Sequence, residues 1–261
     1  MCTSWLVISV PSLSIGTAAS ALFSPTDISS LSFWIDASDA RTITQSSNQV
    51  SQWNDKSANA YNLSQATSAN MPLTNQSTKN GLNVISFDGI NDRISNASSD
   101  LFRNVSGWSV FVVTQILAPT SACRPWGKYV PGGAGNLTKS AFQSNRSASQ
   151  YSSLARRLDA DASNNVVSST NTSNAWVLLG QICNFTAGTH TLRINKSVAN
   201  SGSIGTGTSS NTAGGIITAG ARSDGAEFME GYVAEVVAYN KNLSSDETSL
   251  IENYLTSKWG L

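Results

Sequence analysis

Four carboxylates, Asp224, Glu227, Glu230 and Glu235, fall within twelve consecutive positions, and paired carboxylates are the groups that hydrolyse glycosidic bonds. A retaining reaction needs two of them about 5–5.5 Å apart across one cleft. Alternate positions of a strand share a face. Asp224, Glu227 and Glu230 are instead spaced by three, which places them on no common strand face and reads as a polar loop. The only histidine, His190, would have to serve any Ser-His-Asp triad, and no Gly-x-Ser-x-Gly elbow accompanies it. It opens a strand-like segment, where a turn or strand-edge role is expected. One histidine and three scattered cysteines, Cys2, Cys123 and Cys183, do not make a zinc site or a disulfide framework. Buried or free thiols are expected, with a Cys123–Cys183 bond as the alternative.

Binding chemistry has better candidates. Asp88, Asn91 and Asp92, within Phe87 to Ser95, offer the hard oxygen ligands that calcium prefers, as do Asp36 and Asp39. The competing reading is a tight turn, because Asp and Asn side chains hydrogen-bond their own backbone. A sugar would need aromatic faces with nearby amides. Trp126, Tyr129, Asn136 and Tyr151 supply these within residues 118–153, the least regular part of the chain, broken by Pro119, Pro125 and Pro131 and a glycine run. A long loop of this kind is usually functional. Packing beneath the loop is the alternative for the same aromatics.

Short apolar strands separated by Ser, Asn and Gly clusters must position these groups, the pattern of a sandwich or jelly roll. In residues 108–117, Trp108, Val110, Val112 and Ile116 point one way and Phe111, Val113 and Leu117 the other. Two apolar faces predict a central strand between two layers. Trp176 to Phe185 reads similarly. His190 to Asn195 alternates, with Leu192 and Ile194 inward and Thr191 and Arg193 outward, and further strands are predicted at Ile216 to Ala221 and Gly231 to Tyr239. One helix is predicted, at the end. Ser244 and Glu247 form a capping box, Leu250, Ile251, Tyr254, Leu255 and Trp259 an apolar stripe, and Gly260 the stop, so the helix should close over the sandwich edge.

Charge narrows the classes of partner. Asp, Glu, Lys and Arg make up 12% of the 261 residues, 16 acidic against 16 basic, about half the usual ~25%. Without a basic cluster the chain lacks the electrostatic means to hold nucleic acid or an anionic membrane. The first residues carry an apolar patch, Trp5 to Val10, stopped by Pro11 and preceded by no Lys or Arg, unlike a cleaved leader. Residues 1–24 are therefore expected to be a docking arm or extra strand, and residues 25–261 one sandwich domain.

Three segments carry a family resemblance: WIDASDARTITQSSNQVSQWNDKSANAYNLSQAT from Trp34, FDGINDRIS from Phe87 and AEVVAYNKNLSSDETSLIENYLTSKWGL from Ala234. Together, over about Leu31 to Leu261, they resemble the laminin-G-like, concanavalin A-like lectin domains of phage virion and bacterial surface proteins. The resemblance implies an all-β antiparallel sandwich of the jelly-roll type with one C-terminal α-helix, in which Trp53, Asp55 and Trp259 are structural. Enzymes on this fold place two glutamates and an aspartate as Glu-x-Asp-x-Glu, or use a Gln-x-His motif. Neither occurs, and Gln181-Ile-Cys183 has cysteine in the histidine's place. The expected function is a non-enzymatic virion surface protein, decorating a capsid or forming part of a fibre, anchored by its arm to proteins such as the major capsid protein and working as a homo-oligomer, by habit of the class a trimer. A glycan-binding adhesin at a cell surface is the alternative, and a polysaccharide-degrading enzyme a more distant one.

Overall fold

The structure is a computed structural model that describes residues 23–117, 122–132, 135–145, 150–161, 165–170 and 174–261; the side chains of Asn136 and Asn145 are outside the description. Among the described residues, eighteen strands and one α-helix follow in chain order. The strands are β1 (Leu31–Asp36), β2 (Ile43–Ser46), β3 (Gln49–Trp53), β4 (Leu63–Ser64), β5 (Thr78–Lys79), β6 (Leu82–Asn83), β7 (Ile85–Asp88), β8 (Ile94–Asn96) and β9 (Gly107–Ile116). They continue as β10 (Cys123–Gly132), β11 (Gly135–Asn145), β12 (Gln150–Ala155), β13 (Asn165–Thr170), β14 (Trp176–Asn184), β15 (Thr189–Ile194), β16 (Ser197–Ser203), β17 (Ile216–Ala219) and β18 (Glu230–Tyr239), followed by α1 (Ser245–Trp259). All the pairings are antiparallel. One large sheet runs β1-β18-β9-β14-β15-β16 with β7 also beside β18, the other runs β13-β12-β11-β10-β17-β8-β4-β3-β2, and β5 pairs with β6 in a small third. The expected two-sheet sandwich with a C-terminal helix is what the chain adopts.

The two-faced pattern of residues 108–117 is realised in β9, which lies between β18 and β14. Trp108, Val110, Val112 and Ile116 join the core between the sheets, while Phe111 and Val113 enter a second core beneath α1. The helix therefore covers the outer face of the seven-stranded sheet, not the sandwich edge. Ile251, Leu255 and Trp259 pack down, together with Trp34, Leu178, Val237 and Tyr239. Leu250 does not belong to that stripe. It is 48% exposed. The capping box at Ser244 and Glu247 is present, and Gly260 stops the helix in the left-handed region at φ 63°.

Residues 118–153 do not form the expected long loop. Their described part builds the hairpin β10–β11 and most of β12. Pro125 is tolerated here because it sits where pairing is already irregular. Pro125 falls in a register shift between Cys123 and Trp126, and Pro131 pairs with Asn136 near the end of β10. Trp53 is fully buried in β3, and Asp55 accepts hydrogen bonds from the backbone N–H groups of Trp34, Ser57 and Tyr61 at 2.8–2.9 Å, pinning the turn after β3. Cys123 and Cys183 are buried free thiols.

Gly231 shows how closely the strands approach. Its φ is 146°, and a Cβ there would lie 2.0 Å from the Gln115 carbonyl oxygen of β9. The obstacle is backbone and cannot turn aside. Gly231→Ala should cost about 1–3 kcal/mol, the usual range for overpacking, as a lower denaturation midpoint with an unchanged slope; an unchanged midpoint would contradict this.

Candidate functional site

The aromatics proposed for sugar contact are not at the surface. Trp126 and Tyr151 belong to the core between the sheets, and Tyr129 is fully buried. Strand alternation is the reason. Once β10–β12 form, Trp126 pairs with Phe142 and both face inward, where Trp126 packs edge-on to Phe102 at 6.3 Å. The Asn136 side chain lies outside the described residues. Truncating Trp126 would therefore report on core packing and not on sugar binding.

The outward positions of the same strands hold a polar network. Gly127 faces away from the core, and its missing Cβ makes room for the Tyr129 ring: a Cβ there would come within 2.5 Å of the phenolic oxygen. That hydroxyl meets Arg124 Nη1 at 3.3 Å, and the same nitrogen donates to Thr138 Oγ1 at 2.9 Å. Arg124 Nε donates to Glu227 Oε2, as does Gln143 Nε2 at 3.1 Å. Arg222 Nη1 donates to Glu227 Oε1 at 2.6 Å while its Nε and Nη2 grip Asp224, each at 2.8 Å. Hydrogen bonding to Asp224, joined by the charge of Glu227, raises the Arg222 pKa, and the Arg222 hydrogen bond holds Asp224 below the usual carboxylate range. Arg124 is buried, whereas Arg222 and Asp224 reach solvent. The network is a rim of fixed donors and acceptors over a buried tyrosine.

The four carboxylates named from sequence separate into three places. Asp224 and Glu227 share the Arg222 network, Glu230 pairs across β18 with Asp88 of β7, and Glu235 lies fully buried under α1. There it accepts from Trp34 Nε1 and Trp259 Nε1 at 2.7 Å, from the Tyr254 hydroxyl at 3.0 Å and from Lys258 Nζ at 2.8 Å. Lys258 also reaches Asp36 at 2.8 Å, while Lys56 bridges Asp36 and Asp39. Burial, reinforced by the Asp36 charge, pushes Glu235 up against the pull of Lys258. Burial opposes ionisation of Asp36 as well, but the neighbouring Lys258 and Lys56 charges hold it below its usual range. The arrangement fastens helix to sheet.

His190 is not at a strand edge or turn. It is buried inside the sandwich, its Nε2 2.7 Å from Ser153 Oγ and its Nδ1 2.6 Å from Asn165 Oδ1. Asn165 Oδ1 can only accept, so Nδ1 carries the proton and Nε2 accepts from the serine. Gln181 completes the cluster, accepting from Trp108 Nε1 at 2.7 Å and from the Ser140 hydroxyl, and donating to Ser153 Oγ at 2.6 Å. The cluster bridges the two sheets. Burial depresses the imidazole to about 3.

Asp88, Asn91 and Asp92 do come together, in one turn. Asp88 Oδ1 accepts from the N–H groups of Ile90 and Asn91 at 2.8 and 3.1 Å, and Asp92 Oδ2 accepts from Asp88 N at 3.1 Å. Burial and the Asp88 charge raise Asp92 to about 7. These carboxylates thus bind their own backbone, and among the described residues no group of three or more His, Cys, Asp or Glu is arranged to hold a metal ion. Asp36 and Asp39 are occupied by lysines. Neither Arg124, Gln143 nor Arg222 stood out in the sequence, because only the strand register and the turn before β18 bring them to one carboxylate.

No protein-family model and no curated protein matches the chain. Solved structures do match in fold. The binding domain of botulinum neurotoxin serotype G aligns with a TM-score of 0.61 at 11% identity, over 87% of this chain and 53% of that one. The binding domain of Paraclostridial Mosquitocidal Protein 1 gives 0.59 at 15%, over 89% and 53%. Trypanosoma rangeli sialidase, in complex with sialic acid, gives 0.58 at 13%, over 88% and 33%. The chain spans about half of each toxin domain and a third of the sialidase. At this identity the likeness concerns the fold alone, a two-sheet antiparallel β-sandwich.

Proposed function

We propose that this chain is a non-enzymatic recognition module, displayed on a virion surface as capsid decoration or as part of a fibre. The sandwich faces outward, residues 1–24 tie it to neighbouring virion proteins, and the assembly is a closed homo-oligomer. The Arg124–Glu227–Gln143–Arg222 network carries the reading, since it holds polar groups in place on an outer sheet face. The groups that would otherwise suggest acid–base chemistry are engaged elsewhere, Glu227 between two arginines and His190 and Glu235 in buried clusters. Two of the similar structures are described as binding domains, which supports recognition as the role. A glycan is the ligand class such a rim suits.

A glycan array tests the recognition half. The wild type should bind a defined set of glycans, and Arg222→Ala should bind them about ten-fold or more weakly, the scale of one charged hydrogen bond, with an unchanged melting temperature. Binding by neither protein would leave display without glycan recognition. Deleting residues 1–24 should abolish incorporation into particles while the sandwich stays folded, and normal incorporation would remove the arm from the proposal.

A further inference from the structure

The buried cluster around His190 brings into contact the groups that an acyl transfer needs. Ser153 Oγ donates to His190 Nε2 at 2.7 Å, and His190 Nδ1 donates to Asn165 Oδ1 at 2.6 Å. A hydroxyl bonded to an imidazole that a third group orients is an activated nucleophile. The acyl group lies beside it. Gln181 Nε2 is 2.6 Å from Ser153 Oγ, and because an amide C–N bond is about 1.33 Å long, the carboxamide carbon is within roughly 4 Å of that hydroxyl oxygen. The carboxamide oxygen, Gln181 Oε1, accepts from Trp108 Nε1 at 2.7 Å and from the Ser140 hydroxyl. Two donors converging on one carbonyl oxygen make an oxyanion hole, which stabilises the charge that gathers there when the carbon is attacked.

We propose that Ser153 and Gln181 of the folded protein join through an ester bond that staples the two sheets together. Ser153 Oγ attacks Gln181 Cδ while its proton passes to His190 Nε2. The tetrahedral intermediate then expels Gln181 Nε2, which takes that proton from the imidazole 3.4 Å away and leaves as ammonia. The Oγ–Cδ bond forms, the Cδ–Nε2 bond breaks, and no other reactant enters. The last torsion of a glutamine side chain is broad, so a turn of the carboxamide presents its face to Oγ. Burial depresses the imidazole, so the proton it takes from the serine is readily handed on. Ser140 donates to the amide oxygen itself, which leaves Ser153 as the nucleophile. Trp108, Ser140, Ser153, Gln181 and His190 are all fully buried. Water is therefore kept from the intermediate and from the ester, and ammonia lost to solvent is too dilute to reverse the step. Ser153 lies on β12 and Gln181 on β14, strands of different sheets, so the bond closes the sandwich across its core. This single self-modification turns over no substrate, goes beyond the recognition reading and does not depend on it.

Mass spectrometry of the intact full-length chain, incubated after purification, should show a species lighter by one ammonia. Trypsin should then release segments 147–156 and 158–193 joined through Ser153 and Gln181. Hydroxylamine in denaturant should part the two and leave a hydroxamate at position 181, which an ester gives and an amide bond does not. Ser140→Ala lacks one oxyanion donor and should form the link about 10²-fold or more slowly. Ser153→Ala, checked for folding by circular dichroism, should form none, and neither should the wild type held in urea. Folded wild type without joined segments after weeks would overturn the proposal. So would ammonia loss that maps elsewhere, as to an asparagine succinimide, a link that persists in Ser153→Ala, or an unchanged rate in Ser140→Ala. None of these outcomes is set by whether the protein binds a glycan or enters a particle.

Discussion

Between pH 6.5 and about 3, the protein should lose stability at about 1.4 kcal/mol per pH unit through His190 alone, a total of about 4–5 kcal/mol. The unfolded chain binds a proton at its histidine near pH 6.5, whereas burial holds the folded imidazole to about 3. The depressed folded value means that this stability is fully present above pH 6.5 and is lost as the pH falls through the window. Protonation would also break the cluster, since Nε2 accepts from Ser153 while Nδ1 already donates to Asn165. His190→Gln keeps an amide in the cluster without a titrating group, so its acid limb should be shallower than the wild type's by one proton. As the chain has one histidine, its proton NMR titration is unambiguous. A folded-state midpoint near 6.5, or identical acid limbs for the two proteins, would refute the assignment.

Lys258→Met should be the most damaging single change beneath the helix. It removes the ammonium shared by Asp36 and Glu235, and taking one partner from a buried pair costs about 3–5 kcal/mol. The lower end is expected, because Lys258 is 17% exposed and water reaches part of its site. The deficit should depend on pH in a definite sense. Glu235 is already pushed above its ordinary range, and without Lys258 it rises further. The folded state then keeps a proton that the unfolded chain has released, so stability declines as pH rises above about 4.3, the unfolded value. Urea denaturation should accordingly show a smaller deficit at pH 5 than at pH 8. Adding Glu235→Gln should recover part of the loss at pH 8 and little at pH 5. Equal deficits at both pH values would mean that Lys258 acts through its contacts with the Tyr254 and Trp259 rings and not through charge.

The two clusters illustrate different degrees of legibility. Glu235 and Lys258 stand in stretches predicted correctly as a strand and a helix, yet nothing local says that one lies under the other. Asp36 completes the group from nearly 200 positions away, because β1 pairs with β18 and sets Asp36 directly opposite Glu235. The place of His190 is hidden for a related reason. Its strand is legible, but a polar residue near a strand start reads as an edge, and its partners Ser153 and Asn165 come from the other sheet. In residues 118–153 the local signals mislead. Proline and glycine read locally as loop formers, and the register shift that lets β10 carry Pro125 is visible only against β11.

By itself, the sequence determined the elements whose signals are local. The capping box and glycine stop set α1, and the two apolar faces of residues 108–117 required a layer on each side of β9. Short apolar strands separated by Ser, Asn and Gly clusters pointed to a sandwich, and the low, balanced charge argued against nucleic acid or an anionic membrane as partner. Tertiary structure alone decided which side chains meet. Pairing register turned Trp126 and Tyr151 into the core and brought Arg124 and Gln143 to Glu227, where the turn before β18 adds Arg222, because a strand's side chains take opposite faces and a one-residue shift exchanges them. Burial then shifted His190 downward and Glu235 upward from their ordinary ranges, since desolvation depends on what packs around a group and not on its neighbours in the chain.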